Sequence, residues 1–353
     1  MSKMLEEIRQ QPEALERTLR QESRGIEELR ASLTRKPPRL VVLAARGTSD
    51  NAALFGRYLL EITTGIPVSL ATPSIFTLYN AGVDFRDALV VAVSQSGEST
   101  DTNFVLQRAR EQGAMTLGIT NESHSTLAGL AEHVLLVRSG REKSVAATKT
   151  YTGQLLSQYL LAYALGAPID LDDLRSIPEW VEAALKLEPE IAARTERYRF
   201  MDHCAVVGRG LNYANAFEFG LKLMETCYVV AERFSSADFL HGPIAMVEHS
   251  FPVFMFAPAG VAWPGLAETL DKLAELEAET LLITDPSNPA ALSRDRRAVT
   301  LPIKLTRPGI QPEDLYTPIP YIVPAQILTA YLAEQKGLDP DHPRGLRKVT
   351  RTL

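Results

Sequence analysis

Residues 87–102 read Asp-Ala-Leu-Val-Val-Ala-Val-Ser-Gln-Ser-Gly-Glu-Ser-Thr-Asp-Thr, an apolar run that passes directly into hydroxyls, an amide and a glycine. The apolar part suits a strand buried on both faces, and the residues after the turn suit a helix. Such a strand, loop and helix present unsatisfied backbone N–H groups at the positive end of the helix dipole, where an anion is held. Ser94, Gln95, Ser96 and Ser99 add side-chain donors. The loop therefore reads as a phosphate cradle that needs no basic residue. Helix capping alone would use one such side chain, and this loop offers several.

Other residues could carry acid–base chemistry. In 220–226, Gly-Leu-Lys-Leu-Met-Glu-Thr, Lys222 and Glu225 are three apart and share a helical face. The spacing suits a surface ion pair worth about 0.2–0.5 kcal/mol, and equally a carboxylate placed to move protons. Phe217, Phe219, Leu221, Leu223 and Met224 around them point toward the second. His241 stands before Gly242-Pro243, a backbone rigid enough to position an acid or base, although a well-packed turn would look the same. The remaining five histidines read as structural. Lys348, in the tail, suits either a solvated cation or one delivered to a site. No Cys/His spacing fits zinc, and neither a Gly-Lys-Ser/Thr nucleotide loop nor a Gly-x-Ser-x-Gly elbow occurs, so no metal and no cofactor are expected.

Positioning these groups takes a repeated α/β unit. The stretch 40–53, Leu-Val-Val-Leu-Ala-Ala-Arg-Gly-Thr-Ser-Asp-Asn-Ala-Ala, is matched by 204–216, Cys-Ala-Val-Val-Gly-Arg-Gly-Leu-Asn-Tyr-Ala-Asn-Ala. Likewise 114–120 is matched by 278–284, at an offset of about 164 residues. The apolar run in 250–258 repeats the phosphate-loop strand, but Ala257-Pro-Ala-Gly260 follows it, so one copy keeps the anion chemistry and the other does not. Strands expected at 40–45, 67–71, 88–93, 115–120 and 133–137 alternate with helices. That alternation gives a parallel sheet covered on both faces, with ligands at the carboxyl ends of its strands. Arg46-Gly47-Thr48-Ser49 and Ser94-Gln95-Ser96-Gly97 both fall on that edge.

The domain boundaries follow from composition. An apolar stripe from Leu5 to Leu33 marks an N-terminal helical segment, 1–34, interrupted near Pro12 and docked by one face. A first domain spans 35–167, and a charged helical linker with Pro168, Pro178 and Pro189 spans 168–199. The second domain, 200–335, closes in a helix that starts after Pro324, and the tail 336–353 must dock to be ordered. A chain of 353 residues suits two such domains. Its formal charge of −6, without basic runs, disfavours nucleic acid. No apolar stretch approaches the roughly 20 residues of a membrane span, and the N-terminus lacks a signal-peptide core. Cys204 and Cys227, the only cysteines, read as buried thiols of a cytoplasmic protein.

Taken together, these segments resemble the tandem sugar isomerase (SIS) proteins, specifically the isomerase half of glutamine–fructose-6-phosphate aminotransferase. The resemblance covers nearly the whole chain. It is carried by Arg46-Gly-Thr-Ser49, 94–102, Ser144-Val-Ala-Ala-Thr-Lys149, Gly208-Arg-Gly210, 221–226, His241-Gly-Pro243 and Pro343-Arg-Gly-Leu-Arg-Lys348. It implies two tandem flavodoxin-like α/β/α three-layer domains with parallel sheets. Ser49, Ser94, Gln95, Ser96 and Ser99 then match the ligands of a sugar phosphate, and Val145 and Ala146 lie where backbone meets the sugar hydroxyls. Glu225 matches the carboxylate that moves a proton between C1 and C2, with Lys222 beside it. His241 matches a ring-opening histidine donated by the neighbouring subunit, which implies a homodimer, and Lys348 matches a tail lysine at the sugar carbonyl.

This sequence also departs from that half-enzyme. No counterpart of the glutaminase domain is present and Ser2 follows Met1, so no built-in ammonia source is expected. Arg46 stands where a cysteine is usual, Leu240 where a lysine precedes His-Gly-Pro, and Arg347 where a small residue precedes the tail lysine. Arg46-Gly-Thr-Ser-Asp, the 144–149 segment and the 348–352 ending look closer to stand-alone SIS-type glucosamine-6-phosphate deaminases. The implied reaction converts glucosamine 6-phosphate and water into fructose 6-phosphate and ammonia. Alternatives are synthesis from free ammonia, deglycation of a 6-phosphorylated fructosamine, galactosamine or tagatose chemistry, and a non-catalytic sugar-phosphate sensor.

Overall fold

The computed structural model describes residues 2–295, 297–306 and 309–348, so residues 349–353 of the expected ending lie outside it. The chain forms two compact units. One takes in Gln10–Glu142, Ala147–Pro178 and the tail from Leu346, and the other takes in the residues up to Arg9, Lys143–Ala146 and Glu179–Gly345.

The unit that begins at Gln10 is built on a five-stranded, all-parallel sheet in the order β2-β1-β3-β4-β5. These strands are β1 (Leu40–Ala44), β2 (Val68–Leu70), β3 (Ala88–Val93), β4 (Met115–Thr120) and β5 (His133–Leu136). Every residue of β3 and β4 is buried, as strands covered by helices on both faces must be. Ala44 stands opposite Ala92 across the β1–β3 ladder, which brings the ends of those two strands together. On one face, Val90, Ala92, Val105 and Leu106 belong to a single apolar cluster. The helix Lys149–Ala164 packs against Thr48–Thr64 and Gln11–Arg35 and is buried almost throughout, including its polar residues. A helix sealed on all sides carries no amphipathic stripe, so its depth is invisible to periodicity.

The other unit repeats the plan with β6 (His203–Gly208), β7 (Val230–Ser235), β8 (Pro252–Phe256), β9 (Glu279–Thr284) and β10 (Val299–Thr300). Its order is β10-β9-β8-β6-β7, again all parallel, and renumbering the strands from β6 gives the arrangement of the first sheet. The internal repeat seen in the sequence is thus a repeat of topology. Both sheets have the flavodoxin-like order with its switch point between first and third strands. Cys204 and Cys227 are buried free thiols, and burial pushes Cys227 up to about 12, so neither is a ready nucleophile.

One element differs from expectation. The last helix runs Pro318–Gln335 and passes through Pro324 instead of starting after it. Pro318 and Pro320 sit in the first turn, where a missing N–H costs nothing, and Pro324 forfeits only the bond to the Pro320 carbonyl. Fifteen of its side chains are buried, and that packing outweighs one lost hydrogen bond.

Candidate functional site

The switch point of the first sheet lies between β1 and β3, and the chain places Ser49 after one strand and Ser94 after the other. Ser94 is buried; its N–H donates to the Ile119 carbonyl at 3.0 Å and its Oγ accepts from the Gly97 N–H at 3.1 Å. That tight turn requires a glycine. Gly97 has φ +67°, and a Cβ there would stand 2.1 Å from Ser125 Oγ. Ser99 stands at the N-cap position of the helix Thr100–Glu111 without a side-chain capping bond, its hydroxyl donating to Asp101 Oδ1 at 2.9 Å. Among the described residues the N–H groups of Gln95, Ser96 and Ser99 carry no hydrogen bond. Unsatisfied donors at a helix N-terminus are what an oxyanion needs. Ser49, also buried, accepts from Gln154 Nε2 at 2.9 Å.

Arg46 adds a cation at this edge. Its Nε donates to Asp101 Oδ2 at 2.6 Å, so a single carboxylate ties together Arg46 and Ser99. Sequence reasoning placed Arg46 on this edge and noted it as a departure, but gave it no role and passed over Asp101.

In the other unit the helix Tyr213–Lys222 widens into a π-helical turn, Leu223–Cys227, ended by Tyr228 at φ 55°. Such widened turns re-aim side chains and recur at functional sites. Glu225 sits on this turn, 2.5 Å from Lys222 Nζ, while Glu218 Oε1 lies 3.5 Å from the same nitrogen. The Lys222 and Glu218 side chains are 1% and 0% exposed and Glu225 is 23% exposed, so this is no surface ion pair. Glu218 was missed because phenylalanines flank it and nothing in its spacing separates it from an ordinary helix residue.

His241 follows the short helix Ser236–Leu240, and its N–H donates to the Asp238 carbonyl at 3.2 Å. Its ring is exposed, and among the described residues no hydrogen bond joins it to Glu225 or to any other side chain. The structure therefore joins Lys222 to Glu225, and among the described residues no hydrogen bond adds His241 to that pair.

The counterpart of the 94–99 loop in the other unit has different neighbours. Gly260, after β8, would meet Glu313 with any Cβ, and Gly210, after β6, lies against Asp314. Two acidic residues thus occupy the edge where the other sheet presents hydroxyls. Burial, with Glu313 adding to it, raises Asp314 to about 6.

Lys348 donates to Glu142 Oε2 at 2.8 Å, and Glu142 also accepts from the Thr148 N–H, the Thr150 N–H and the Thr150 hydroxyl. Burial opposes this charge, but Lys348 and the hydrogen bonds overcome it and hold Glu142 below the usual carboxylate range. Glu142 went unrecognised in the sequence. Val145 is held separately, its N–H on the Asp341 carbonyl at 3.3 Å, while Asp341 caps the N-terminal helix through Lys3 and Met4. Ala146 beside it is buried.

A family model for the SIS domain matches residues 35–164 and 201–304. Glutamine–fructose-6-phosphate aminotransferase (isomerizing) of Methanothermobacter thermautotrophicus is 36% identical over 349 residues, which is 98% of this chain and 56% of that protein. The chain thus spans a little over half the length of the curated relatives it matches. A candidate phosphosugar isomerase from Silicibacter pomeroyi, known from its crystal structure, matches with a TM-score of 0.84 and 32% identity, covering 97% of this chain and 100% of that one. The glucosamine-6-phosphate deaminase of Thermotoga maritima shares the fold, with a TM-score of 0.76 at 23% identity over 99% of this chain and 100% of its own.

Proposed function

Since the chain belongs to the SIS-domain family, we propose that it is a phosphosugar isomerase that deaminates glucosamine 6-phosphate, taking up water and releasing fructose 6-phosphate and ammonia. The observation that carries this reading is the Lys222–Glu225 pair: a sealed ammonium holds a carboxylate that still reaches solvent. Glu225 takes the proton from C2 and returns it at C1 through an enolamine, after which water adds and ammonia leaves. The 94–99 loop and Ser49 bind the phosphate, far from the reacting carbons, and that binding energy orients them. Val145 and Ala146 offer backbone to the sugar hydroxyls, and Lys348 serves the sugar carbonyl once it leaves Glu142.

His241 opens the sugar ring in the active site of a second subunit of a cytoplasmic homodimer. Its exposed ring, without a side-chain partner among the described residues, supports that role. Mixing Glu225→Gln and His241→Asn chains then restores about a quarter of the wild-type activity, because half of the dimers are hybrids and each hybrid carries one intact site. Mixtures as inactive as either parent would place His241 in its own subunit's site.

Incubating the purified chain with glucosamine 6-phosphate and measuring ammonia and fructose 6-phosphate together tests the reaction. The name of the Methanothermobacter relative favours a second reading, amination of fructose 6-phosphate by free ammonia. It uses the same residues in reverse, and the initial rates in each direction decide between them. A chain that binds phosphosugars without turnover would be a sensor, and release of an amino acid from a 6-phosphorylated fructosamine would make it a deglycase.

A further inference from the structure

We propose that Arg46 is the charge-selecting ligand of the phosphate loop, the residue that makes the site prefer a doubly charged phosphoryl group over a singly charged substituent. The proposal rests on the reading of the 94–99 loop as the phosphate cradle. Arg46 follows β1 and Ser94 follows β3, strands that are neighbours up to the Ala44 and Ala92 pair. The guanidinium spends one donor, Nε, on Asp101 Oδ2 at 2.6 Å, and the other Asp101 oxygen takes the Ser99 hydroxyl and the Thr102 N–H, each at 2.9 Å. Two hydrogen bonds therefore fix Arg46 relative to a phosphate-loop hydroxyl.

An arginine present only to neutralise Asp101 would meet it fork to fork, with two parallel bonds. Here both terminal nitrogens are without a hydrogen-bond partner among the described residues. The Arg46 side chain is 48% exposed, whereas Asp101 is 2% exposed, so the carboxylate is the buried anchor and the guanidinium the group left on offer. Hydroxyl and backbone N–H donors accept phosphate and sulfate esters alike. A fixed guanidinium favours the ester with the second charge, by roughly 10- to 100-fold for a charge-assisted pair.

The test is calorimetric titration with glucose 6-phosphate and glucose 6-sulfate on three proteins: wild type, Asp101→Asn, and the Arg46→Met/Asp101→Asn double variant. The double variant removes the Asp101 carboxylate together with its cation, and Asn keeps an oxygen for Ser99 and Thr102. A thermal melt establishes that both variants are folded. Asp101→Asn is expected to keep a narrowed preference for phosphate, since the guanidinium is still present but the amide no longer holds its Nε. The double variant is expected to bind phosphate 10- to 100-fold more weakly than Asp101→Asn, with a smaller loss for sulfate, so that the preference collapses. Equal phosphate affinity in the two variants would overturn the assignment and leave Arg46 as charge compensation for Asp101. Wild-type protein that binds neither ester would remove the phosphate-loop reading itself, a different result from the one that isolates Arg46.

Discussion

The Glu225 carboxylate lies 2.5 Å from the Lys222 ammonium, and of the two only the carboxylate reaches solvent. The cation cannot meet a ligand directly, yet it fixes the orientation of the group that can. Glu225→Gln keeps the shape and a hydrogen-bond acceptor for Lys222 but removes the proposed base. Turnover should fall about 10²- to 10⁴-fold, the range of a lost general base, while phosphosugar affinity stays within a few-fold. Paired kcat and calorimetric Kd measurements check this; equal loss in both would mean that Glu225 binds and does not transfer protons.

Lys222 also neutralises Glu218, which is fully buried. Lys222→Met strands that carboxylate in the interior, and removing one partner of a buried pair costs about 3–5 kcal/mol. Adding Glu218→Gln removes the stranded charge, so the double variant should recover most of the loss. Urea unfolding of the two single variants and the double variant measures the coupling; strictly additive effects would show that Glu218 and Lys222 do not share one charge balance.

The strands, their parallel order and the duplication were legible because both-face-buried strands leave apolar runs of fixed length, and the repeat offset aligned them twice. The turn at 94–99 and the helix after it were legible because an apolar run passes there directly into hydroxyls and a glycine. What stayed hidden was set by three-dimensional contact. Glu142, Glu218 and Asp101 look like ordinary surface acids in the sequence, and only folding sets each beside its cation at 2.8, 3.5 and 2.6 Å. Likewise Pro324 reads as a helix start until the packing around Pro318–Gln335 is known.

Asp314 gives a pH dependence with a definite sign. Its ordinary value of 3.8 rises to about 6 in the folded chain, so the folded state binds the proton more tightly than the unfolded state. Stability from this group is complete below about pH 4 and declines as pH rises toward and past 6. Asp314→Asn mimics the protonated form. It should raise stability at pH 8 by up to about 3 kcal/mol, two pKa units at about 1.4 kcal/mol each, and leave stability at pH 4 unchanged. Denaturant midpoints at the two pH values decide it, and a gain of the same size at both would assign the effect to packing.

The Glu142–Lys348 pair carries the opposite sign. Glu142 is held below its ordinary 4.5 in the folded chain, so its stabilising contribution is present above that value and disappears as pH falls through the lowered one. Lys348→Met removes the cation that overcomes burial, and Glu142 then resists ionisation. Because Lys348 is 24% exposed, the loss at pH 7 should be about 1–3 kcal/mol, less than for a sealed pair. The difference between wild type and variant should shrink steadily below pH 4.5. Glu142→Gln combined with Lys348→Met should be flat across the same range, because no buried carboxylate remains to titrate. A pH-independent deficit in the single variant would show that Lys348 stabilises the tail by contact alone and leaves the charge on Glu142 to the threonine hydrogen bonds.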